Sequence, residues 1–320
     1  MKTLLGAGAL SMTKPLYLVD GSNLAFRAHC AYPGLSIQLG DEASYPMGAT
    51  YGTIRILDTM FREWEAGKVI MPFDISRSVY RLGLYPEYKA GRHDNKQKQL
   101  YGEYAKQLDL IIDLLGRCGV TTISGEATGY EADDVLAYIV SRFRAGAFPN
   151  ITRVVLITSD KDLCALVGPN VVWYDPIRHN MVTHENFQEQ FGVTVEQYPD
   201  FKALKGDQSD NIKGVPGIGP KRAAELLTEY GSIDRLLEIS HQRIAPHREA
   251  VELCRKLVGL RLHEIEPESP IWSAVSARLR ELPKIADDLY DVLTALQFES
   301  VLAEWVEWKA RWQRFSECSL

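Results

Sequence analysis

Three carboxylates stand close together at the start of one predicted helix, in the segment that runs from residue 129 to residue 137. Glu131, Asp133 and Asp134 fall within a single helical turn, and the residues that follow are mostly apolar. Acidic side chains suit a helix N-terminus because the helix dipole is positive there, so the turn has a purely structural explanation. The alternative is a carboxylate cluster that binds a cation, and the rest of the chain decides between the two.

Further carboxylates follow segments that are predicted to be buried strands. Asp20 and Asp74 each come directly after a run of apolar residues, and Asp160 and Asp162 follow a third run at residues 154–157. In a parallel sheet flanked by helices, the carboxyl ends of the strands share one edge, where ligands bind. We therefore expect all these carboxylates to converge on one patch.

Such a patch indicates metal-dependent chemistry. Many acids on one poorly solvated rim cannot all stay ionised without cations, and sets of oxygen ligands suit hard divalent ions such as Mg²⁺ or Mn²⁺. Two ions about 3.5–4 Å apart are a common device for cleaving phosphodiesters. The sequence therefore predicts phosphodiester hydrolysis with two divalent cations.

A basic segment follows the second of these strands. Between Arg77 and Lys106 there are seven lysines and arginines against three acidic residues, and tyrosines are interleaved with them over residues 76–92. Basic side chains contact phosphates, and aromatic rings stack on unpaired bases at about 1–3 kcal/mol per base. The alternative is a charged surface loop whose tyrosines pack locally. The basic segment comes directly after a strand that is followed by an aspartate, and this position favours substrate binding.

A glycine-rich turn at residues 214–220 reads G-V-P-G-I-G-P and leads into a predicted helix. Backbone N–H groups at such a helix N-terminus bind a phosphate without reading the base. Lys221 and Arg222 add charge for neighbouring phosphates. An acidic step, G-D-Q-S-D-N, comes just before the turn, and its Asp207 and Asp210 are further candidates for the metal patch.

The composition narrows the class of protein. At 320 residues and 46% hydrophobic content the chain can form two domains or one domain with an appendage, and two divalent cations would offset most of its net charge of −6. Five scattered cysteines without a C-x-x-C pair indicate reduced thiols in a cytoplasmic protein. The first ten residues imitate a signal peptide only faintly, and no run approaches the roughly 18 apolar residues of a membrane span. The nucleotide motifs G-x-G-x-x-G and G-x-x-x-x-G-K-[ST] do not occur, so no nucleotide cofactor is expected.

The order of predicted elements indicates an α/β domain that ends near Val193 and a helical region after it. Helices are predicted at residues 49–64, 100–115 and 131–144, between short apolar strands. Near the C-terminus three tryptophans fall on one helical face, which favours core packing over a base-stacking platform. These tryptophans are Trp305, Trp308 and Trp312.

Six motifs together resemble the 5′-nuclease superfamily, which comprises bacteriophage 5′-to-3′ exonucleases, flap endonucleases and the nuclease domain of bacterial DNA polymerase I. The resemblance extends over about residues 16–227. The motifs are V-D-G-S-N at 19–23, F-D-x-x-x-S-V-Y-R at 73–81, P-E-Y-K-A-G-R at 86–92, Y-E-A-D-D at 130–134, T-S-D-K-D at 158–162, and G-D-x-S-D-N-I-x-G-V-P-G-I-G-P-K-R-A at 206–223.

The resemblance implies an α/β fold with a central, mostly parallel sheet flanked by helices, a helical arch, and a C-terminal helix-three-turn-helix DNA-binding region. The expected divisions are an N-terminal extension at 1–13, an α/β nuclease domain at 14–193 with the arch at about 80–106, the helix-three-turn-helix region at 194–265, and C-terminal helices at 266–320. The chain ends at Leu320, without room for a polymerase domain, which suggests a free-standing nuclease of the phage or bacterial type.

The resemblance also assigns roles to residues. Asp20, Asp74, Glu131, Asp133 and in part Asp160 are implied to serve one metal, and Asp134, Asp162, Asp207 and Asp210 the other. Lys89 and Arg92 match the basic pair at the base of the arch, Arg81 joins this catalytic group, and Tyr88 is a candidate for stacking on an unpaired base. The implied DNA-binding residues are Gly214, Val215, Gly217, Ile218, Gly219, Lys221 and Arg222, with K⁺ held by carbonyls near Val215 and Ile218.

The implied function is a metal-dependent, structure-specific 5′ nuclease that hydrolyses DNA phosphodiesters near junctions of single and double strand. Its expected partners are DNA with 5′ flaps, overhangs or ends, and a monomer without membrane association is expected. Two alternatives remain open from the sequence. One is a structure-specific DNA-binding protein with weak or no turnover, and the other is a nuclease that acts on RNA-DNA hybrids in the manner of RNase H.

Overall fold

The fold is built on a six-stranded sheet with the strand order β5-β4-β1-β6-β7-β8. The computed structural model describes residues 14–38, 44–74, 79–90, 95–124, 130–260 and 270–320. Neighbouring strands are parallel except β7 and β8, which form an antiparallel pair at one edge. The strands are β1 (Lys14–Val19), β4 (Lys68–Phe73), β5 (Thr121–Ser124), β6 (Ile151–Ile157), β7 (Val171–Asp175) and β8 (Asn180–Val182), and two small antiparallel pairs are formed by β2 (Ser36–Ile37) with β3 (Tyr45–Pro46) and by β9 (Gly206–Asp207) with β10 (Ile212–Lys213).

Strand β1 lies at the centre of the sheet, between β4 and β6. Its residues alternate between the two faces: Leu16 and Leu18 belong to one buried cluster, and Tyr17 and Val19 to the other. This alternation is the period of two that a strand imposes. Both faces of the sheet are therefore covered, as expected for a parallel sheet, and its carboxyl edge is left for ligands.

Helices pack on both faces of the sheet. The face that carries Leu16 packs against the first turns of a long helix at residues 132–144 and the helical region that follows the sheet, and the opposite face packs against earlier helices and the C-terminal one. The helices up to this point of the chain are α1 (Gly21–Ala31), α2 (Gly48–Glu63), α3 (Val79–Leu84), α4 (Asn95–Ala105), α5 (Leu108–Arg117) and α6 (Ala132–Arg144).

Two helices, α4 and α5, occupy the segment in which the sequence predicts one helix at residues 100–115. Gln107 lies at the break between them and is fully buried. Its Oε1 accepts hydrogen bonds from the backbone N–H groups of Ala49 and Thr50, at 3.0 and 3.1 Å. These N–H groups belong to the first turn of α2, which lacks partners within its own helix. The single-helix prediction is therefore wrong, because a side chain of this segment caps another helix.

The region after the sheet is helical, in agreement with the predicted change of pattern. Its elements are α7 (Phe187–Phe191), α8 (Tyr198–Lys205), α9 (Pro220–Tyr230), α10 (Ile233–Glu238) and α11 (Arg248–Val258), and the β9–β10 pair lies between α8 and α9. The final elements are α12 (Pro270–Arg280), α13 (Leu289–Ala295), α14 (Glu299–Leu302) and α15 (Trp305–Ser316), and 3₁₀ turns occur at Asp162–Leu166 and Ala245–His247.

The tryptophans of α15 pack as core residues. Trp308 and Trp312 are almost fully buried and stack on each other, with ring centroids 4.5 Å apart. Trp305, which is partly buried, stacks on Trp308. The preference for core packing is thus confirmed for Trp308 and Trp312. In the part of the chain that the structure describes, no helix is long and apolar enough to cross a membrane.

Candidate active site

Four carboxylates from four different elements share one patch at the carboxyl edge of the sheet. Asp20 follows β1, Asp74 follows β4, Asp160 lies in the loop after β6, and Asp133 lies in the first turn of α6. The negative charges of the other three act on Asp133 and raise its pKa. This convergence is the arrangement that the strand ends predict.

Burial and mutual repulsion dominate the electrostatics of this patch. Burial, followed by the charge of Asp74, raises the pKa of Asp20 to about 7. Burial also raises the pKa of Asp133 well above its usual value, with the charge of Asp160 as the next cause, although Lys89 opposes the shift. Among the described residues, none of these four carboxylates forms an ion pair with a lysine or arginine. The patch therefore has negative charge that the described side chains do not neutralise.

The patch is held by short hydrogen bonds from backbone N–H groups and from one side-chain hydroxyl. Asp20 caps α1 by accepting from Asn23 N at 3.0 Å, and its second oxygen accepts from Thr158 Oγ1 at 2.9 Å. Asp74 Oδ1 accepts from Ala132 N at 2.6 Å, which links the end of β4 to the start of α6. Asp20 and Asp74, which the sequence predicts as metal ligands, thus also connect the elements around the patch.

Gly21 allows the ends of β1 and β4 to approach each other. A Cβ at this position would lie 2.6 Å from the Phe73 ring and 2.7 Å from the carbonyl oxygen of Pro72. Real Cβ atoms essentially never come within 3.0 Å of another heavy atom in this way, so any larger residue would push α1 away from β4. Glycine here is what lets Asp20 and Asp74 share the patch.

The carboxylates of the patch lie near one another but do not surround a single point. No group of three or more His, Cys, Asp or Glu side chains within the described ranges could hold a metal ion in this arrangement. The donor chemistry still suits a hard divalent cation, because the patch contains only carboxylate oxygens and carries repulsion that a cation would relieve. The two-metal set therefore stays a prediction.

Asp134 lies on the other side of the α6 N-terminus, in a buried ion pair. Its Oδ1 is 3.1 Å from Arg81 Nη2, and Arg81 also bonds Glu131. Asp134 and Glu131 additionally form a reciprocal capping box at the start of α6. Asp134 is fully buried in this ion pair, and its assignment to a metal set stays a prediction.

Arg81 connects α3 to the start of α6 through its ion pairs with Glu131 and Asp134. It is buried, and although burial by itself lowers its pKa, the charges of Asp134 and Glu131 raise the pKa overall. Its assignment to the catalytic group stays a prediction. Glu131 keeps one oxygen toward Lys89, with Oε1 3.6 Å from the ammonium nitrogen, so both of its oxygens face cations of the chain.

Lys89 is the basic residue placed beside the acidic patch. Its backbone has a left-handed φ of 56°, and its N–H donates to Asp210 O at 2.9 Å. Burial opposes its charge, but Glu131 and other negative neighbours raise its pKa above the usual value, so the ammonium stays protonated. Lys89 is partly accessible, as a phosphate contact requires.

Tyr88 is buried, with 5% of its surface exposed, and packs in the core of the α6 side of the sheet. Its hydroxyl donates to Asp210 Oδ2 at 3.1 Å, and Lys89 Nζ lies 4.9 Å from the ring centroid. The role of Tyr88 in stacking on an unpaired base stays a prediction. Tyr88 fixes Asp210, which sequence analysis assigns to the second metal set.

A second acidic group is neutralised by a lysine that sequence analysis overlooked. Lys202, in α8, is buried and forms ion pairs with both Asp162 and Asp207. Burial raises the pKa of Asp207, but the charge of Lys202 outweighs it and holds that pKa near 2. The pKa of Asp162 is raised to about 7, mainly by burial and by Asp160. The sequence signal for Lys202 is its position in the predicted helical region, five residues before Asp207.

The glycine turn is built around close backbone contacts. A Cβ on Gly214 would lie 2.4 Å from the nitrogen of Gly206, which shows how tightly the β9–β10 pair closes. Val215 and Ile218 are buried, and the Ile218 N–H donates to the Val215 carbonyl at 3.0 Å. Beyond them, Gly217 and Gly219 are exposed, as are Lys221 and, in part, Arg222, which pairs with Glu225 at 3.0 Å.

Arg92 lies outside the described residues, as do residues 75–78 of the second motif and Gly129. Within the expected arch at about 80–106, the structure describes residues 80–90, which include most of α3 and the turn after it, and residues 95–106, which include α4. The role of Arg92 therefore stays a prediction.

Comparison with protein families identifies the chain. A family model described as the 5′-3′ exonuclease N-terminal resolvase-like domain matches residues 15–192, and a second, described as the 5′-3′ exonuclease C-terminal SAM fold, matches residues 193–269. The chain belongs to the 5′-3′ exonuclease family. The 5′-3′ exonuclease of Aquifex aeolicus is 34% identical over 252 residues, which cover 77% of this chain and 82% of that protein.

Longer relatives contain this family as one part. DNA polymerase I of Mycobacterium bovis is 36% identical over 243 residues, 74% of this chain but 25% of that protein. The chain thus spans about a quarter of the length of this polymerase relative.

Solved structures of the 5′-3′ exonuclease family share the fold. The T5 5′-exonuclease with bound zinc superposes with a TM-score of 0.63 at 24% identity, over 91% of this chain and 99% of that one. A bacteriophage T5 flap endonuclease in complex with DNA and metal ions gives a TM-score of 0.62 at 23% identity, over 93% of this chain and 100% of that one. At these identities the likeness establishes the α/β fold with its mostly parallel sheet.

Proposed function

We propose that this chain is a metal-dependent, structure-specific 5′ nuclease that hydrolyses DNA phosphodiesters near junctions of single and double strand, at both 5′ ends and 5′ flaps. The observation that carries the proposal is the patch of Asp20, Asp74, Asp133 and Asp160, whose charges repel one another without a basic partner among the described side chains. Membership of the 5′-3′ exonuclease family supports the same activity.

Two divalent cations, Mg²⁺ or Mn²⁺, are the proposed cofactors. Asp20, Asp74, Glu131, Asp133 and in part Asp160 would hold the first. The candidates for the second are Asp134, Asp162, Asp207 and Asp210. When bound, such ions act as Lewis acids and lower the pKa of water, which is the chemistry that phosphodiester hydrolysis requires. Bound zinc in the T5 5′-exonuclease and metal ions in the T5 flap endonuclease support this assignment.

The basic residues bind and orient the substrate strand. The protonated Lys89 lies beside Glu131 and near enough to Asp133 to lower its pKa, so it can contact the scissile phosphate and stabilise developing negative charge. Arg92 is proposed to share this role. Arg81 holds the start of α6 through its buried pairs, and Tyr88 holds Asp210, so both keep the acidic groups in position.

The duplex is proposed to bind at the glycine turn through its phosphates. Gly214, Gly217 and Gly219 place backbone close to the surface at the N-terminus of α9, and Lys221 adds charge. We further propose that α8, the turn and α9 form the centre of a helix-three-turn-helix unit, and that carbonyls of Val215 and Ile218 hold K⁺. Because these contacts go to phosphates, sequence preference should be slight.

A flap-cleavage assay tests the proposal. A 5′-labelled flap and a recessed duplex are incubated with Mg²⁺, with Mn²⁺ and with EDTA. Cleavage is expected with either ion and not with the chelator. A DNA-binding protein without turnover would shift the junction in a gel but leave it uncut, and an RNA-directed nuclease would cut an RNA 5′ strand in preference to DNA.

Substitution of the patch tests its residues. Asp133→Asn and Asp160→Asn each remove a negative charge from the proposed metal patch, so we expect the rate to fall by at least about 100-fold, with duplex affinity largely kept, as measured by single-turnover cleavage and gel shift. The matched control is Asp287→Asn, the same change at an exposed position that no proposal uses. Wild-type rates in Mg²⁺ for both patch variants would disprove the assignment.

A further inference from the structure

The loop after β6 is held by side chains that no motif includes. This loop carries Asp160 and Asp162 with Lys161 between them. The indole Nε1 of Trp173 donates to the Asp160 carbonyl at 2.8 Å, and the hydroxyl of Tyr198 donates to the Lys161 carbonyl at 3.0 Å. Two consecutive carbonyls are therefore bound by buried aromatic donors.

A third contact fixes the preceding residue. Ser159 Oγ donates to Asp175 Oδ1 at 2.9 Å, and Asp175 is buried at the end of β7. The donors and acceptors come from β7 and from α8, which are separate elements on either side of the loop. The loop is thus clamped between the sheet and the helical region that follows it.

The clamp acts on the peptide units that join the two carboxylates. Asp162 N donates to Asp160 Oδ1 at 2.8 Å, so the two residues are already coupled through the backbone. With the carbonyls of Asp160 and Lys161 both fixed, the backbone that carries the two aspartates cannot shift far without breaking a part-buried hydrogen bond. Breaking such a bond leaves a buried polar group unsatisfied, which proteins avoid.

We propose that Tyr198 is a positioning residue whose hydroxyl sets the spacing of Asp160 and Asp162 and thereby the affinity of the site for its second divalent cation. This inference rests on the proposed function. Burial raises the pKa of Tyr198, and the nearby carboxylates of Asp162 and Asp160 raise it further, so the hydroxyl remains a donor at neutral pH.

Tyr198→Phe isolates the hydroxyl. The ring packs against Phe187 and Phe191, at centroid distances of 5.3 and 4.9 Å, and these contacts remain in phenylalanine. The chain offers a matched control in Tyr17→Phe. Tyr17 is 2% exposed like Tyr198, and its hydroxyl also donates to a backbone carbonyl, that of Glu65, at 3.0 Å.

The first measurement is Mn²⁺ binding to the DNA-free protein, followed by electron paramagnetic resonance. Loss of an outer contact to a ligand loop commonly weakens metal binding about 10-fold or more. We expect Tyr198→Phe to weaken the lower-affinity Mn²⁺ site by roughly 10-fold, and Tyr17→Phe to match the wild type. In flap cleavage, Tyr198→Phe should need more Mg²⁺ for half-maximal rate, recover at high Mg²⁺, and keep its KM for DNA.

The second measurement is hydrogen exchange of a peptide that covers residues 158–162, with EDTA present. Faster exchange in Tyr198→Phe and unchanged exchange in Tyr17→Phe would support the clamp, since no metal is involved. Equal Mn²⁺ affinity and equal exchange in the two variants would overturn the inference and leave the proposed nuclease function intact. If the wild type itself bound no Mn²⁺ and cut no flap, both the inference about Tyr198 and the proposed nuclease function would be wrong.

Discussion

Lys202 separates two kinds of carboxylate in this site. Asp162 and Asp207 have a buried ammonium between them, whereas Asp20, Asp74 and Asp133 have no basic partner among the described side chains. Burial disfavours the ionised form of a carboxylate, and it is the largest cause of the raised pKa values of Asp20, Asp133 and Asp162. Lys202 therefore supplies Asp162 and Asp207 with positive charge before any cation binds, whereas Asp20, Asp74 and Asp133 form no ion pair with a described lysine or arginine.

We predict that Lys202→Met destabilises the metal-free protein by about 3 kcal/mol, because it leaves two poorly solvated carboxylates without their counter-charge. Mg²⁺ should then stabilise the variant more than the wild type, since the ion replaces the lost charge. Urea unfolding in EDTA and in Mg²⁺ measures both effects.

The control for this prediction is the neighbouring Lys205→Met. Lys205 hydrogen-bonds only the carbonyl of Gly206, at 3.2 Å, among its described polar contacts, so its loss should cost less than about 1 kcal/mol. Equal losses for the two lysines would show that Lys202 is not the counter-ion of this pair.

At the scale of elements, the last helix is attached to the second by a buried charge. Asp58 in α2 accepts from Arg311 Nε at 2.8 Å and from Trp312 Nε1 at 3.0 Å, both in α15. Arg62, one turn along α2, also bonds Asp58, at 3.1 Å. The C-terminal helix is therefore fixed to a helix that packs on the central sheet.

Asp58→Ala is predicted to cost about 3 kcal/mol or more, because Arg311 and the Trp312 indole lose a buried acceptor. Glu304→Ala provides the contrast, since Glu304 faces the same arginines, Arg62 and Arg311, but its side chain is 51% exposed against 3% for Asp58. An exposed pair contributes at most about 1 kcal/mol. Urea unfolding measures the loss of stability in each variant. Similar losses in the two variants would contradict the role of burial.

At the scale of the whole molecule, the acidic region links folding to pH and to cations. The folded-state pKa values of Asp20 and Asp162 are raised to about 7, whereas in the unfolded chain both lie near their ordinary value of 3.8. Between about pH 4 and pH 7 the folded state therefore binds more protons than the unfolded state. The free energy of unfolding must then fall as pH rises through that window.

We predict that the protein in EDTA loses up to a few kcal/mol of stability between pH 5 and pH 8, at roughly 1.4 kcal/mol per pKa unit. Mg²⁺ should recover this loss at pH 8 and have little effect at pH 5, where the carboxyls are protonated and cannot bind it. Thermal unfolding across this pH range, with and without Mg²⁺, provides the measurement.

Asp20→Asn tests the cause of that slope. The variant removes one titrating group and should flatten the pH dependence in EDTA while reducing the gain from Mg²⁺. A wild-type slope that is absent, or that is unchanged in Asp20→Asn, would show that the repulsion is relieved in another way.

Much of the fold could be predicted from local pattern. The strands that end just before Asp20, Asp74 and Asp160 are short apolar runs. The start of α6 contains the acidic residues that form its capping box. The break between α4 and α5 could not be predicted. Gln107 lies at this break and caps α2, which is far away in the sequence. Periodicity records the local preference of a segment and contains no information about such a distant partner.

The sequence by itself determined the chemistry available to this protein: carboxylates at strand ends, a basic segment beside them, and a glycine turn before a helix. Only the tertiary structure decided how each charge is used. Adjacent residues on α6 point in different directions, so Asp133 joins the repelling patch while Asp134 neutralises a buried arginine. Lys202 and Tyr198 acquire their roles solely through contacts across elements, and a side chain's ionic state depends on burial and on neighbours that only the folded chain supplies.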